Sequence, residues 1–199
     1  MRHSKVVYHS SDNKDRAIFV VNTNDRLSQN SRESFRDACR RWECDYVEIT
    51  RGVVYYHPAA IKLSVFELCE HERVFILDSD TVIRSDAPNI FEMTSPNNFW
   101  AVRNQQPHYP KAYDVNVDIA RQEIQRVIDT KNLYDIPVEG IAQNFFNSGV
   151  MMASRASHTK VFENAKYLYL GTPLQWWDQI PLNISVYQEL GGYVELGNE

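Results

Sequence analysis

Glycine is scarce, at seven of 199 residues. No Gly-rich phosphate loop of the strand-to-helix kind stands near the N-terminus, and no Gly-Asp dipeptide occurs anywhere. Cysteine is scarcer still. Cys39, Cys44 and Cys69 are odd in number and irregular in spacing, which excludes a disulfide framework and a zinc signature and leaves reduced, structural thiols as the reading. No apolar run approaches the length of a membrane span. The opening MRHSKVVYHSSDNKD lacks the apolar core of a signal peptide, so a soluble, cytoplasmic protein is expected. A net charge of -5 argues against a general nucleic-acid binder, whose affinity rests on neutralising phosphates.

What remains is ordinary for a soluble domain: 43% hydrophobic and 24% charged residues. The length allows a core without staples. The simplest reading is one domain over 1–199, with a polar lead-in over 1–15 that holds a short strand at Lys5–Tyr8; such a domain stands alone or within a longer protein.

Ala17–Asn22 (AIFVVN) reads as a buried parallel strand, since a strand covered on both faces is apolar without alternation. A polar loop, Thr23-Asn24-Asp25, follows. The spacing of Phe35, Ala38, Cys39 and Trp42 predicts a helix from about Ser31, with Asn30 and Glu33 as its capping pair. Asp45–Thr50 alternates and predicts a strand. Pro58 opens a second helix with Ile61, Val65 and Leu68 on its apolar face, and Arg73–Leu77 (RVFIL) predicts a central strand. This β-α-β-α-β order implies an α/β fold with a mostly parallel central sheet flanked by helices. Beyond it, Phe99–Arg103 predicts a strand, 104–114 a loop, and Val117 to Ile128 a helix. Asn147–Ala153 predicts a strand entered through a Gly turn. Ser157 is expected to cap a helix carrying Val161, Ala165 and Leu168. A last helix is expected over Trp177 to Leu190, and a terminal strand over Tyr193–Leu196.

The chemistry concentrates where RVFIL runs into Asp78-Ser79-Asp80. Ligands of open α/β sheets bind beyond the C-terminal ends of the strands. Residues i and i+2 of an extended chain point the same way. Two such carboxylates call for a cation, and hard oxygen donors suit Mg²⁺ or Mn²⁺ with positions left for phosphate oxygens. Aspartate also favours turns, but an apolar strand feeding straight into D-x-D is unusual for a mere turn.

DSDTV also fits the D-x-D-x-T/V signature of haloacid dehalogenase-like phosphatases, with a nucleophilic first Asp and an acid/base second Asp. That resemblance expects the pair after the first strand and a later acidic pair following Gly-Asp, neither of which is read here. A nucleotidyltransferase shares the sheet and the metal aspartates but expects the missing Gly-rich loop.

The ordered set AIFVVNTND, Lys62, RVFILDSDTVI, DAPNIFEM, FFNSGVMMASR and WWDQIPLNISVY resembles the GT-A fold glycosyltransferases, especially their family-8-like group, from about Arg16 to Gln188. The resemblance implies a UDP-sugar donor, Mn²⁺ or Mg²⁺ and a glycan or other hydroxyl acceptor, and it leans to transfer with retention; the residues themselves leave inversion open, with Asp178 as the base. It implies that Asp80 ligates the metal and that Asp78 assists and contacts the ribose beside Ser79. Asn22, Thr23 and Asn24 would line the base and ribose pocket, and Lys62 would approach the diphosphate or donor sugar. Asn147, Ser148 and Gly149 would shape the cleft, with Asp178 and Gln179 near the anomeric carbon and Asn147, Asp178 and Gln179 as the catalytic set. The family's H-x-x-G-x-x-K-P-W segment, which brings a further metal-ligating His, is not in these residues. A binding module for sugar nucleotides without turnover is the non-enzyme alternative.

Several residues have plain readings beside the functional ones. Trp176 and Trp177 suit stacking on a sugar or anchoring the core. His108 and Tyr109 fit a solvated loop, His57 a helix entry, and His158 a helix surface. Lys62 on a helix reads by itself as exposed.

Overall fold

A computed structural model describes residues 4–8, 15–22, 27–51, 58–104, 117–172, 174 and 178–197. Among them are strands β1 (Ser4–Tyr8), β2 (Arg16–Val21), β3 (Asp45–Arg51), β4 (Arg73–Leu77), β5 (Trp100–Arg103), β6 (Phe146–Ser154) and β7 (Val194–Glu195). The α-helices are α1 (Gln29–Trp42), α2 (Val65–Leu68), α3 (Ile90–Met93), α4 (Val117–Lys131), α5 (Val138–Gln143), α6 (Arg155–Tyr169) and α7 (Gln179–Leu190). A 3₁₀ segment, Pro58–Ser64, runs directly into α2.

The strands form one sheet in the order β1-β3-β2-β4-β6-β5-β7. β3, β2 and β4 are parallel, and β7 is parallel to β5. β1 and β6 run against their neighbours. Most strands therefore share one direction, and the fold class expected from the βα alternation holds. The reversal of β6 matters most, because it brings the start of β6 to the edge where β2, β3 and β4 end.

Both faces of the central strands are covered. Ala17, Phe19, Val47, Ile49, Val74 and Ile76 pack toward the 3₁₀ segment and α6. Ile18, Val20, Tyr46, Phe75 and Leu77 pack toward α1 and α3. The period-2 alternation of strand side chains thus feeds two cores, which is why β2 and β4 are apolar throughout. Phe19, fully buried, contributes about 1.5–3 kcal/mol by leaving water. A third core joins α4, α5 and α7.

Several boundaries differ from the sequence reading. Ser28, not Asn30, caps α1, and its side chain accepts from Ser31 N. The expected Phe35, Ala38, Cys39 and Trp42 stripe is the buried face of that helix. The helix expected after Pro58 begins instead as 3₁₀, with residues 60–63 all buried. Gly149 makes no turn before a strand; it lies inside β6. α6 starts at Arg155, ahead of Ser157, and His158 is wholly buried, its Nδ1 accepting from Ser154 N at 2.8 Å. The last helix begins at Gln179, so the expected start at Trp177 falls outside the described residues. The short α5 follows Pro137, carries two buried apolar residues and gave no clear period.

Candidate functional site

The site is built where β4 ends. Leu77 pairs with Val150 of β6, and Asp78 N donates to Gly149 O at 2.8 Å, so the ladder carries the first aspartate one residue past the strand. The chain then turns. Asp78 O accepts from Thr81 N at 3.2 Å and also from the Thr81 hydroxyl. The D-x-D segment is thus a turn rather than the extended chain assumed from sequence, and the i/i+2 argument for a shared direction does not apply. The turn uses the backbone oxygen of Asp78 and leaves its carboxylate for the site.

β6 is irregular at the same height. Trp100 and Ala101 of β5 pair with Met152 and Met151, but Val102 pairs with Asn147. Residues 148–150 are skipped, a bulge of the kind that re-aims a strand beside a functional site. Asn147 Oδ1 accepts from Gly149 N at 2.6 Å and closes the bulge, while its Nδ2 faces Asn104 Oδ1 at 3.4 Å. Gly149 is required for space. A Cβ there would stand 2.3 Å from Asp78 Oδ2 and 2.7 Å from Asn147 Oδ1.

Lys62 is the centre of the assembly. It is 3% exposed and lies on the 3₁₀ segment, which packs against β2 and α6. Its Nζ donates to Asp78 Oδ1 at 2.9 Å and to Ser148 O at 3.0 Å, with Ser148 Oγ at 3.4 Å. Asp178 Oδ2 lies 3.0 Å away. That contact is a buried ion pair, with both side chains 6% exposed or less. Burial alone would lower the Lys62 pKa; Asp178 and Asp78 reverse this and hold it above its ordinary value. Lys62 is therefore a permanent cation at neutral pH. The sequence expectation of an exposed helical lysine is overturned.

Asp178 is buried at the N-cap position of α7 without capping it through its side chain. Gln179 opens α7 and donates from Nε2 to Phe146 O at 3.1 Å, a bond within the fold. Ser79 is half-buried in the turn. Asp80 is exposed, and among the described residues its carboxylate has no hydrogen bond or ion pair. Lys62, Asp78, Asn147, Ser148, Gly149 and Asp178 are thus brought together, with Ser79 and Asp80 in the adjoining turn. No group of three or more His, Cys, Asp or Glu converges on one metal-sized point among the described residues. Asp78 and Asp178 face the Lys62 ammonium, and Asp80 is exposed in the adjoining turn; carboxylate oxygens are the kind of donor that suits a divalent cation completed by phosphate and water oxygens.

Asn22 extends the edge beyond β2, its N–H donating to Ile49 O at 2.9 Å. Its side chain is committed inside the protein: Nδ2 donates to Glu48 Oε1 at 2.8 Å, and Oδ1 accepts from Leu27 N at 3.1 Å. Glu48 also accepts from Arg32 at 3.0 Å and Tyr46 OH at 2.9 Å. Sequence reasoning missed this cluster. The one available signal was an acid within DYVEIT in a strand that needed both faces covered. Thr23, Asn24, His57, His108, Tyr109, Trp176 and Trp177 lie outside the described residues.

No helix among the described residues is long and apolar enough to cross a membrane. No protein-family profile matches the chain, and no curated protein matches it in sequence. Solved structures do. The chain is similar to the WbbM bifunctional glycosyltransferase, at a TM-score of 0.55 and 12% identity over 87% of this chain. It spans only 37% of that protein's length. It is also similar to a glycosyltransferase involved in the glycosylation of the major capsid of PBCV-1, at a TM-score of 0.53 and 12% identity, covering 90% of this chain and 80% of that one. At such identities the likeness is one of fold: the chain has the GT-A-like architecture found in these glycosyltransferases.

Proposed function

We propose that the chain is a metal-dependent glycosyltransferase that moves a hexose or deoxyhexose from a UDP-sugar to a glycan or other hydroxyl acceptor, with retention. The observation that carries this reading is the meeting of Lys62 with Asp78 and Asp178 at 2.9 and 3.0 Å. Two segments 16 residues apart and a third about a hundred residues further on, each singled out by its likeness to a transferase motif, converge at the sheet edge where α/β folds bind ligands.

In this reading Asp80 and Asp78 would hold Mn²⁺ or Mg²⁺, which when bound would supply charge against the leaving diphosphate. Lys62, held by Asp78 and Asp178 at the same edge, would approach the diphosphate or donor sugar from the buried side. The bond from the anomeric carbon to phosphate breaks as the acceptor oxygen bonds to that carbon, and the hydroxyl proton passes to the departing phosphate. Asp178 orients the sugar from the buried side, and the shared hold on Lys62 keeps it in place. Asn147 and Gln179 act through their backbone-fixing bonds, which shape the cleft. UDP is preferred over other nucleotides on the family resemblance.

The test is a thermal-shift and calorimetric titration with UDP, with and without Mn²⁺, followed by a UDP-sugar panel read by released UDP. UDP should raise the midpoint only with metal present, because a ligand that binds the native state stabilises it. Asp80→Asn should abolish the metal-dependent part. Unchanged metal-dependent affinity in that variant would overturn the site.

A further inference from the structure

Asn183 lies one turn into α7 and is wholly buried. Its Oδ1 accepts from Phe146 N at 2.9 Å, and its Nδ2 donates to Phe146 O at 3.1 Å and to Gln179 O at 2.9 Å. Gln179 Nε2 reaches the same Phe146 carbonyl at 3.1 Å. Phe146 is the first residue of β6 and directly precedes Asn147, Ser148 and Gly149; Gln179 directly follows Asp178. One carboxamide therefore ties together the roots of the two segments that meet at Lys62.

Apolar packing already holds α7 to its neighbours through Leu182, Ile184 and Val186, all fully buried. Such packing is non-directional, so it fixes contact without fixing a distance. Burying an amide costs free energy unless its bonds are met, and here they are met by backbone groups whose spacing they set. We propose that Asn183 is a positioning residue: by locking the first turn of α7 to the first residue of β6, it sets Asp178 against Lys62. The proposal rests on the transferase reading for its catalytic consequence, but the placement of Lys62 can be read without it.

The experiment compares Asn183→Asp, which keeps size and removes both donated bonds, with Ile184→Ala, which destabilises the same helix from within another core. Three quantities are read: the Kd of UDP with Mn²⁺, kcat and KM for UDP release from a panel of UDP-sugars, and the NMR signal of the Lys62 ammonium. Asn183→Asp should leave the UDP–Mn²⁺ Kd within about threefold and lower kcat on the order of ten- to a hundredfold, as expected for misplaced groups. It should also shift the Lys62 signal or broaden it away. Ile184→Ala, even at an equal or larger loss of Tm, should keep kcat within about twofold and the signal in place. Loss of kcat that simply follows Tm in both variants, or an unmoved Lys62 signal in Asn183→Asp, overturns the proposal. If the wild-type protein releases UDP from no donor, the transferase reading fails, and the Lys62 signal alone decides whether Asn183 positions the pair.

Discussion

Two buried charge clusters lie on opposite faces of the same sheet, and they are built on opposite terms. Around Glu48, one carboxylate receives Arg32, Asn22 and Tyr46. Donors outnumber the acid, and the group is closed. Burial would raise the Glu48 pKa, but the hydrogen bonds from Arg32, Asn22 and Tyr46 outweigh it and hold it below the ordinary 4.5. Around Lys62, one ammonium is shared by Asp78 and Asp178, with Asp80 left over in the adjoining turn. There the acids outnumber the cation, and the side chain of Asp78 stays 46% exposed. A closed cluster has reached its electrostatic end state. An open one keeps a deficit that an incoming cation can fill. Burial of charge by itself does not separate the two; the balance of donors to acceptors does.

That contrast can be broken by substitution. The largest effect is expected from Lys62→Met. It strips the partner from Asp178 and should cost about 3 kcal/mol at neutral pH, near the lower end for breaking a buried pair, measured by urea denaturation. Gly149→Ala comes next. Its Cβ would drive Asp78 and Asn147 out of place, at a cost of about 1–3 kcal/mol from overpacking, and calorimetry should show UDP binding with Mn²⁺ lost as well. The smallest effect belongs to the closed cluster. Glu48→Gln should cost about 1–2 kcal/mol at pH 7, as expected for weakened charge-assisted bonds. Because the folded pKa of Glu48 is depressed, its contribution is complete above 4.5 and is lost as pH falls through the folded value. The gap between wild type and variant should therefore close in acid. A gap that stays constant down to low pH would show that the Glu48 charge is not what the cluster uses.

The sequence was most legible where local and global preferences agree. β4 falls on Arg73–Leu77 as read, because an apolar run between polar neighbours has one sensible place in a doubly covered sheet. The α1 stripe is legible for the same reason. Lys62 was legible only by likeness. A helical period of 3.6 assigns it no special face, whereas on the 3₁₀ segment it is buried against Asp78, Ser148 and Asp178. His158 was misread because a histidine on a helix says nothing about what lies beneath it, and here its Nδ1 accepts from Ser154 N, which immediately precedes α6. The bulge at 148–150 was invisible. Its cause is a pairing between Val102 and Asn147 that no local pattern encodes. The D-x-D turn was misjudged in shape but not in place, since the end of β4 fixes where Asp78 must stand.

The 3₁₀ segment ahead of α2 has a further consequence. Seven residues is long for this winding, and each residue advances the chain by about 120° around its axis. The segment acts as a screw with a coarse thread: adding or removing a single residue before Lys62 swings the ammonium a third of a turn, away from both carboxylates and into the hydrocarbon packed around it. Length between Pro58 and Lys62 should therefore be fixed far more strictly than side-chain identity, and insertions that a surface loop would absorb should here disable the protein outright.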